Sequence, residues 1–401
     1  FETNIEDLIP KEDMVVVATM NGYIKRVPLS TYKAQKRGGK GRSGISVRDE
    51  DVTTDIFVTN THTPILFFSD QGKVYKMKTY KLPLGTPQAK GRALVNLLPI
   101  NQDEKISTIL ALPEDEDSWK DLNIVFSTSN GTVRRNSMAD FANIQSNGKI
   151  AMKLKDNNSL IGVNLCEEQD FVMLSTRNGK CIRFPVESLR VFSSRNSEGV
   201  RGIRLEKNNE VIAMSVIKDL SVDALIKEQY LKIPSNKRIE LKEALLFNKN
   251  LQDNPPTDLL ALTPKKIPNI KSSELDQEKV QELALNEEFI LTITENGFGK
   301  RTSAYEYRIT NRGGLGITNI ITSARNGQVV ASFTIDSSDQ VMIITNKGTL
   351  IRTNVTDVRI TGRNTQGVTL IKTKTGDEKV VSVARIATND DDIDELENNE
   401  N

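Results

Sequence analysis

A short stretch rich in glycine and basic residues is the part of the sequence best suited to chemistry. Residues 35–41 read QKRGGKG and hold three cations and three glycines, and another arginine follows directly. Glycine lets backbone N–H groups approach a ligand closely, and lysine or arginine beside such groups favours bound phosphate. The sequence therefore predicts a phosphate-binding loop made of Gln35, Lys36, Arg37, Gly38, Gly39, Lys40, Gly41 and Arg42.

Clusters typical of catalysis are missing from the sequence. His62 is the only histidine, so neither a Ser-His-Asp set nor a histidine metal site can be assembled. Residues 39–44 match GxGxxG, but strand-like residues rather than a helix follow them, which argues against a dinucleotide site. Cys166 and Cys181 are the only cysteines, and we expect both to be buried thiols. We expect no catalytic residue, metal or cofactor site in this chain.

The charge distribution favours a nucleic-acid partner. The chain has a net charge of +1, but residues 387–401 carry seven acids and no base, so residues 1–386 carry +8. A basic body with an acidic tail is typical of nucleic-acid binding, and we expect the tail to be disordered. No apolar run reaches the length of a membrane span, and we expect no signal peptide. The sequence begins with Phe1, which we interpret as a fragment of a longer protein.

A repeat of about 50 residues organises most of the chain. Each of six segments begins with an apolar, β-prone run, reaches a serine or threonine, and has a glycine three residues later. Asparagine precedes that glycine in four segments, and Asn-Gly between apolar runs is a strong hairpin signal. The expected hairpin glycines are Gly22, Gly72, Gly131, Gly179, Gly297 and Gly348.

One cation recurs at the same place in all six segments. It stands four residues after each hairpin glycine, and alternation along a strand puts such a residue on a fixed face. If the repeats surround an axis, these side chains form an exposed ring that contacts phosphates without reading sequence. The ring consists of Arg26, Lys76, Arg135, Arg183, Arg301 and Arg352.

A second glycine follows about 19 residues after the first, and basic residues lie near it in most segments. We expect these glycines at Gly41, Gly91, Gly148, Gly199, Gly314 and Gly367. The neighbouring cations that we add to the expected rim are Lys90, Arg92, Arg201, Arg312 and Arg363. Such a rim predicts sequence-tolerant binding of duplex DNA through its charge and curvature.

Four short strands per repeat indicate blades of a propeller-like fold. We predict an all-β domain over residues 1–386, with six blades of four strands each. The predicted blades span residues 14–61, 62–112, 122–169, 170–217, 288–335 and 339–386.

Residues 218–287 interrupt the repeat between the fourth and fifth blades and read as partly helical. Residues 219–250 show the periodicity of one or two amphipathic helices, separated near Pro234. A further helix is expected to run to Leu285, capped by Ser272 or Ser273. We interpret the insertion as a surface addition to one blade connection, and a dedicated partner site is the alternative.

The glycine-rich stretch resembles the GyrA box, a QRRGGKG-type signature in the C-terminal domain of DNA gyrase A subunits. Lys36 stands where that family usually has arginine, which keeps the charge but removes the fork suited to bidentate contacts. Residues 5–19, residues 21–26, the six repeats and the acidic tail are also similar to that domain. The resemblance covers nearly the whole chain except residues 218–287.

The resemblance implies a β-pinwheel, a propeller-like disc whose blades exchange strands and whose basic rim wraps double-stranded DNA. It places the glycine-rich stretch on the first blade, near the junction with the last. In the gyrase holoenzyme, of two A and two B subunits, wrapping gives a positive crossing that strand passage converts into negative supercoils using ATP. The catalytic tyrosine, the ATPase site, ATP and Mg²⁺ then belong to other parts of that holoenzyme.

The same resemblance implies the partners and the location of the chain. The partners are double-stranded DNA, the gyrase B subunit, and the rest of the gyrase A subunit. The location is the bacterial cytoplasm, in association with the chromosome and with no membrane contact, and the isolated domain is expected to be monomeric.

Two alternatives stay open at this point. The C-terminal domain of a topoisomerase IV A subunit, which serves topology sensing and decatenation, looks similar but has a degenerate box and often fewer blades. A propeller-type protein-interaction scaffold is the other alternative, and it predicts partner binding that is insensitive to salt. Such a scaffold does not need a cation at one fixed strand position in every repeat.

Overall fold

The computed structural model, which describes residues 4–32, 51–218, 222–251, 275–373 and 376–387, folds mostly into short strands. We number the six sequence repeats as units 1 to 6 and call the sheet around each unit's hairpin its blade. Within the described residues there are six such sheets, antiparallel apart from one short parallel pair.

The first three units contribute eleven strands within the described residues. Unit 1 forms β1 (Asp13–Thr19), β2 (Tyr23–Pro28) and β3 (Thr53–Asn60). Unit 2 forms β4 (Pro64–Ser69), β5 (Lys73–Lys78), β6 (Arg92–Ala93) and β7 (Ile106–Ala111). Unit 3 forms β8 (Asn123–Thr128), β9 (Thr132–Ser137), β10 (Lys149–Ile150) and β11 (Leu160–Cys166).

The last three units follow the same plan. Unit 4 forms β12 (Phe171–Thr176), β13 (Lys180–Pro185), β14 (Val191–Phe192), β15 (Val200–Arg201) and β16 (Val211–Ile217). Unit 5 forms β17 (Phe289–Thr294), β18 (Phe298–Ser303), β19 (Ile317–Thr318) and β20 (Val329–Ile335). Unit 6 forms β21 (Gln340–Thr345), β22 (Leu350–Asn354), β23 (Val368–Thr369) and β24 (Val380–Ile386).

Each unit opens with the hairpin that its sequence predicts. All six hairpin glycines have φ between +76° and +90°, a backbone conformation that L side chains rarely adopt. The last strand of each unit pairs with the first hairpin strand, as β3 does with β1 through residues 53–60. These contacts confirm the propeller-type fold and explain why a glycine is required at the turn.

The fourth strand of a blade comes from the following unit. β6 of unit 2 pairs with β2 of unit 1, and β10 of unit 3 pairs with β5 of unit 2. β14 and β15 both pair with β9, β19 pairs with β13, and β23 pairs with β18. The strand exchange that the resemblance implied is therefore present, and each short outer strand is a donated strand.

The sixth blade contains three strands among the described residues, in the order β22-β21-β24. By the rule that the other blades follow, its outer strand is expected from unit 1, between Tyr32 and Asp51. That segment lies outside the described residues.

Apolar side chains fill the space between neighbouring sheets. Between blades 2 and 3, the rings of Phe68, Phe126 and Phe141 lie with centroids 5.5 to 6.0 Å apart. All three side chains are fully buried, and burying one phenylalanine contributes about 1.5–3 kcal/mol. Interfaces of this kind hold adjacent blades in fixed positions, and so fix the positions of the loops at their edges.

The first and last units meet at the sheet edge opposite the donated strands. There the last strands of neighbouring units contact one another, and β24 contacts β3. The Ala387 N–H donates to the Thr53 carbonyl at 3.0 Å, and Val52, Met342 and Ile386 form a small buried cluster. This cluster is smaller than those at the other blade junctions of the described residues.

Helices of the insertion lie beside the fifth blade. They are α1 (Ala224–Tyr230), α2 (Ser235–Leu251) and α3 (Gln277–Asn286). The break between α1 and α2 at residues 231–234 agrees with the expected separation near Pro234. The expected serine cap of α3 is wrong, because the Asp276 side chain caps this helix and accepts from the Lys279 N–H at 2.8 Å.

A buried apolar cluster joins the insertion to the fifth blade. Tyr230, Leu241 and Leu283 of the helices pack with Tyr305, which follows β18. A buried ion pair lies beside them, with Arg238 Nε and Glu287 Oε1 3.2 Å apart, and the Tyr230 hydroxyl donates to the same oxygen. No helix among the described residues has the length and apolar content needed to cross a membrane.

Candidate nucleic-acid interface

The predicted phosphate loop, residues 35–42, lies outside the described residues, so its role stays a prediction. The described chain that follows it is well anchored. Unit 1 resumes at Asp51, whose carboxylate accepts from the Thr19 hydroxyl and from the Asn21 N–H, the latter at 3.0 Å. Asp51 therefore lies beside the hairpin of blade 1. The second strand of that hairpin, β2, precedes the predicted loop in the chain.

The recurring cation is buried in units 3, 4 and 5. Arg135, Arg183 and Arg301 expose 7%, 2% and 6% of their surface. Each guanidinium donates to backbone carbonyls of a short 3-10 turn in the next unit or of the residue that ends it. The donor–acceptor distances are 3.5 and 3.2 Å from Arg135 to Val186 and Leu189, 2.9 and 3.4 Å from Arg183 to Ala304 and Tyr307, and 2.8 Å from Arg301 to Val358.

The expectation of an exposed ring is therefore wrong for Arg135, Arg183 and Arg301. Strand alternation does put these side chains on one face, but that face is covered by the neighbouring unit. The Leu189, Tyr307 and Val358 carbonyls end their turns without a partner in the turn, and a guanidinium satisfies them. The Val186 and Ala304 carbonyls begin their turns and also accept an N–H within them. These three cations hold blades together and have no surface to offer a phosphate.

The other three members of the ring occupy different environments. Arg26 is half-buried and its Nε donates to the Leu82 carbonyl at 2.8 Å, while Lys76 pairs with Glu116. Burial lowers the pKa of Arg26, and the charge of Glu12 partly offsets this. Arg352 is exposed. Only Arg352 among the six meets the expectation of a solvent-facing cation.

A second cation, one residue earlier, was missed by the sequence reasoning. Lys25, Arg134 and Lys300 are buried in units 1, 3 and 5. Lys25 Nζ donates to the carbonyls of Thr86, Pro87 and Ala89 at 3.1, 2.6 and 2.7 Å, and Lys300 Nζ donates to those of Asn319, Gly362 and Arg363 at 2.7, 2.8 and 2.9 Å. The guanidinium of Arg134 donates to the carbonyls of Arg195, Ser197 and Ala151.

These buried cations hold the loops that lead into donated strands. Burial lowers the pKa of Arg134 to about 10 and that of Lys300 to about 8. The signal in the sequence was a pair of adjacent basic residues in units 1, 3 and 5, at positions 25–26, 134–135 and 300–301. Units 2, 4 and 6 have a tyrosine or isoleucine at the first position of that pair. In units 1, 3 and 5, a buried cation rather than solvent therefore donates hydrogen bonds to the carbonyls of the loop that leads into the donated strand.

Three of the predicted rim cations are exposed beside or on donated strands. Arg92 lies on β6 and Arg201 on β15, and Lys90 Nζ stands 4.3 Å from the centroid of the Tyr23 ring. All three side chains are accessible to a ligand. Arg92 and Arg201 lie on the outer strands of blades 1 and 3, and Lys90 lies just before the outer strand of blade 1.

Arg312 and Arg363 are half-buried and contact neighbouring units. Arg312 Nη1 donates to the Arg201 carbonyl at 3.1 Å, which brings two predicted rim cations together. Arg363 Nε donates to the Glu306 carbonyl and its Nη1 to the Thr318 carbonyl, both at 2.8 Å. Arg363 therefore directs two of its five donors to backbone carbonyls of unit 5.

The second glycine of each unit lets a donated strand approach its neighbour. At Gly91 and Gly199 a Cβ would lie 2.4 Å from the Ile24 carbonyl oxygen and 2.1 Å from that of Val133, and both glycines have positive φ. In unit 5 this role belongs to Gly316, where a Cβ would lie 2.3 Å from the Cys181 carbonyl oxygen. The assignment of Gly314 to this role is wrong, because nothing lies within 4 Å of the corresponding position.

The described part of the chain has neither a cluster of metal ligands nor an exposed cysteine. No group of three or more His, Cys, Asp or Glu side chains there is placed to hold a metal ion. Cys166 and Cys181 are buried free thiols, and burial raises their pKa to about 11 and about 12, so neither is a reactive thiolate near neutral pH. The outer edge, with exposed cations on short strands, is suited to phosphate groups.

Comparison with known families gives one match that follows the repeat. The model of the DNA gyrase C-terminal domain, beta-propeller, matches residues 13–60, 63–113, 122–167, 170–218, 288–335 and 339–387. The residues between the fourth and fifth matched segments are the helical insertion.

Two of the similar proteins are DNA gyrase A subunits. The DNA gyrase A subunit of Rickettsia bellii (strain RML369-C) is 51% identical over 395 residues, which are 98% of this chain and 41% of that protein. The DNA gyrase A subunit of Escherichia coli (strain K12) is 37% identical over 398 residues, which are 99% of this chain and 37% of that protein. The chain thus spans about two fifths of the length of the curated relatives that it matches.

Two solved structures share the fold. The C-terminal domain of DNA topoisomerase IV superposes with a TM-score of 0.68 at 18% identity, covering 94% of each chain. A DNA gyrase A C-terminal domain superposes with a TM-score of 0.54 at 20% identity, covering 94% of this chain and all of that one. At these identities the likeness concerns the fold alone.

Proposed function

Because the chain belongs to the DNA gyrase C-terminal domain family, we propose that it binds duplex DNA without sequence preference and wraps it around the outer edge of the disc. The observation that carries this proposal is the placement of exposed cations on or beside donated strands, as at Lys90, Arg92 and Arg201. Lysine and arginine contacts to phosphates position a duplex but carry no sequence information. Bending stiff DNA along a curved edge costs free energy, which a series of such contacts offsets.

The box, residues 35–42, supplies the densest set of phosphate contacts in this proposal. The described residues before and after it belong to blade 1, and blade 6 is the blade whose outer strand is expected from the same segment. The box then fastens the duplex at the outer edge, between blades 1 and 6. The exposed cations of the other units set the path of the DNA along the remaining edge.

In the whole enzyme we propose the role that the relatives' name suggests. The chain would act as part of a gyrase A subunit, together with a gyrase B subunit in an A2B2 assembly in the bacterial cytoplasm. Wrapping would present a positive crossing to the strand-passage gate, and ATP hydrolysis would convert it into negative supercoils. The catalytic tyrosine, ATP and Mg²⁺ would act elsewhere in that assembly, and this chain would contribute DNA geometry.

A linking-number experiment tests the wrapping. A plasmid is relaxed by a type I topoisomerase in the presence of the 401-residue chain, and the topoisomers are separated after deproteinisation. We expect the chain to shift the linking number. The topoisomerase relaxes the plasmid while the chain holds part of the DNA in a wrapped path, and this constraint appears as a change in linking number once the protein is removed. The triple variant Lys36→Ala, Arg37→Ala, Lys40→Ala should lose most of the shift.

A matched control removes the same charge from another surface. Lys218, Lys232 and Lys237 are exposed lysines at or in the insertion, and changing all three to alanine should leave the shift intact. Equal loss in both triple variants would indicate a general effect of charge, and no shift with the unmodified chain would overturn the proposal. A protein-interaction scaffold would give no shift in linking number, and its affinity for its partner would be insensitive to salt.

The complete enzyme distinguishes gyrase-type from topoisomerase IV-type action. A full-length gyrase A protein with the triple box change, combined with gyrase B, should lose ATP-dependent negative supercoiling. It should still relax supercoiled DNA, because the strand-passage gate is untouched. Unchanged supercoiling would refute the role assigned to the box.

A further inference from the structure

A cavity of about 380 Å³ lies where the insertion meets units 5 and 6. Residues 231–235 and Arg238 of the insertion line one side, and Glu306 of unit 5 and residues 360–362 of unit 6 line the other. The volume is typical of sites for small organic molecules. The residues of the insertion side lie outside the segments that the family model matches, so this cavity is separate from the repeated fold.

The helix that begins at this cavity has no side-chain cap. Pro234 stands directly before α2, and a proline side chain cannot accept from the N–H groups of the first turn. The Pro234 carbonyl accepts from the Lys237 and Arg238 N–H groups at 2.9 and 3.1 Å. The N–H groups of Ser235 and Asn236 donate to no acceptor among the described residues. Two unused donors therefore mark the positive end of a 17-residue helix.

The first turn of α2 is also basic. It contains Lys237 and Arg238 and no acid, and Lys232 stands three residues before the helix. Lys237 pairs with Glu240 of the following turn at 3.3 Å. Cations near a helix N-terminus oppose the helix dipole, whereas an anion there interacts favourably with it. A bound anion would thus relieve an unfavourable arrangement of charge.

Arg238 brings a buried guanidinium to the same cavity. Its side chain is 5% exposed and belongs to the lining. Nε pairs with Glu287, and Nη1 donates to the Leu231 and Ile233 carbonyls at 3.2 and 2.6 Å. Nη2 meets no acceptor in the described part of the chain, and it is not one of the fully buried atoms left without a partner there. Nη2 is therefore a donor that a ligand in the cavity can use.

A carboxylate lies on the side of the cavity that the blades form. A Cβ at Gly362 would lie 3.3 Å from Glu306 Oε1, so this carboxylate reaches the loop of the next unit. Burial raises the pKa of Glu306, and a backbone hydrogen bond from Arg363 and the charges of Lys300 and Arg363 partly offset this. The carboxylate repels a bare anion. A ligand that fits both sides therefore carries an anionic group at one end and a positive group at the other.

We propose that the cavity binds a small phosphate monoester that also carries an ammonium group. The phosphate accepts from the Ser235 and Asn236 N–H groups and from Arg238 Nη2, with Lys232 adding charge. Its oxygens match this number of donors better than the two oxygens of a carboxylate. The ammonium group lies against Glu306, and the apolar side chains of the lining contact the carbon chain between the two ends. This site goes beyond DNA wrapping, because the insertion supplies its donors.

Isothermal titration calorimetry of the 401-residue chain tests the class of ligand with four probes. O-phosphoethanolamine has both charged groups and should bind more tightly than inorganic phosphate, while ethanolamine should not bind. β-Alanine replaces the phosphate by a carboxylate and should bind more weakly than O-phosphoethanolamine. No binding of O-phosphoethanolamine, or equal binding of ethanolamine, would overturn the site. Tighter binding of β-alanine would overturn the assignment to phosphate.

A pair of variants at Ser235 tests the N–H donors. Ser235→Pro removes one N–H at the first position of α2, where helices accept proline. It should weaken binding of O-phosphoethanolamine about tenfold, the effect of one hydrogen bond to a charged group. Ser235→Ala keeps the N–H and should bind like the wild type. Equal affinity of the two variants would refute the role of the helix start.

A fixed carboxylate at the helix start should replace the ligand. Ser235→Asp should abolish binding of O-phosphoethanolamine and keep or raise the midpoint of urea unfolding, because an acid in the first turn favours the helix. Gln277→Asp is the matched control, since it adds the same charge at the first residue of α3, which Asp276 already caps. This control should bind like the wild type. A loss equal to that of Ser235→Asp would show a general effect of charge and overturn the site.

Changing Glu306 tests the end that holds the ammonium group. Glu306→Gln removes the charge and keeps the shape of the side chain. It should strengthen binding of inorganic phosphate and remove the preference for O-phosphoethanolamine. A preference that survives in Glu306→Gln would show that the carboxylate does not contact the ligand.

DNA binding separates this inference from the proposed function. Fluorescence anisotropy with mixed-sequence duplex DNA over a salt series gives the slope of log affinity against log salt concentration, here called the salt slope. Ser235→Asp should keep the wild-type salt slope. If it loses affinity for DNA as well, the cavity holds a DNA phosphate and the small-molecule site is wrong. If the unmodified chain binds O-phosphoethanolamine but no DNA, the site stands and wrapping is wrong.

Discussion

Arg183 and Arg352 stand at the same place in units 4 and 6, yet they have opposite surroundings. Arg183 is 2% exposed and its Nη1 donates to the Ala304 and Tyr307 carbonyls, whereas Arg352 is exposed. Changing each to methionine removes the charge and keeps a side chain of similar length. We expect Arg183→Met to loosen the junction between blades 4 and 5, and Arg352→Met to leave stability unchanged.

The expected loss of stability in Arg183→Met follows from the two carbonyl groups that lose a donor. The Ala304 carbonyl keeps the Tyr307 N–H as a donor at 3.2 Å, so the Tyr307 carbonyl is the group that loses most. A buried acceptor left without a partner costs about 1–3 kcal/mol, and removing a desolvated guanidinium returns part of this. We expect Arg183→Met to cost about 2 kcal/mol, while a surface change such as Arg352→Met stays within about 0.5 kcal/mol.

Native-state hydrogen exchange measures this cost where it arises. The Thr310 N–H donates to the Arg183 carbonyl at 2.8 Å and reports directly on the junction. A loss of about 2 kcal/mol should speed its exchange about 30-fold in Arg183→Met. The same amide should exchange at the wild-type rate in Arg352→Met.

DNA binding supplies the result that would refute the reasoning. If the recurring cation serves blade packing in unit 4, Arg183→Met should keep the wild-type salt slope, while Arg352→Met should lose up to about 0.9 of it. A variant at Arg183 that stays as stable as the wild type but loses DNA affinity would show that this cation faces the ligand. The burial and bonding of Arg183 described above would then be wrong.

Two further changes probe the outer edge. Gly91→Ala should destabilise the domain by more than about 1 kcal/mol, because its methyl group would lie 2.4 Å from the Ile24 carbonyl oxygen at a φ of +82°. The space at Gly376 is open, so urea unfolding should show no such loss for Gly376→Ala. Burial lowers the pKa of Lys300 from 10.5 to about 8, so between those values the unfolded chain binds more protons than the folded chain and the free energy of unfolding rises with pH. Lys300→Met should abolish that rise in a series of unfolding curves from about pH 7.5 to pH 10.5, and an unchanged rise would assign it to another group.

Local chemistry explains why the hairpins were predictable. A turn that needs positive φ at Gly22 or Gly348 is decided by two or three adjacent residues, so its signal repeats visibly in the sequence. The exchange of strands has no such local signal. The short strand β6 looks the same in sequence whether it completes its own blade or pairs with β2, and only the resemblance to a family suggested the second.

The candidate site was predicted less completely, for a related reason. Alternation assigned the recurring cation to one face of its strand, but whether solvent or another unit covers that face depends on packing between units. Arg301 is covered by the turn that ends at Val358, some 57 residues further along the chain. Arg92 and Arg201 are exposed because they lie on the short outer strands of blades 1 and 3, and their contact with DNA stays a prediction.

The exchange of strands also restricts how a protein of this kind changes length. Among the described residues, each of units 2 to 6 gives its short strand to the blade before it. Removing one whole unit would let the next unit serve the blade left behind, because in blades 1 to 5 the donated strand always pairs with the second hairpin strand. Removing half a unit would leave an open sheet edge, which is an aggregation hazard. Such a protein can therefore gain or lose residues in steps of about 50, one whole unit at a time. The joints between units are the exception, because an insertion there, such as residues 218–287, interrupts no strand exchange.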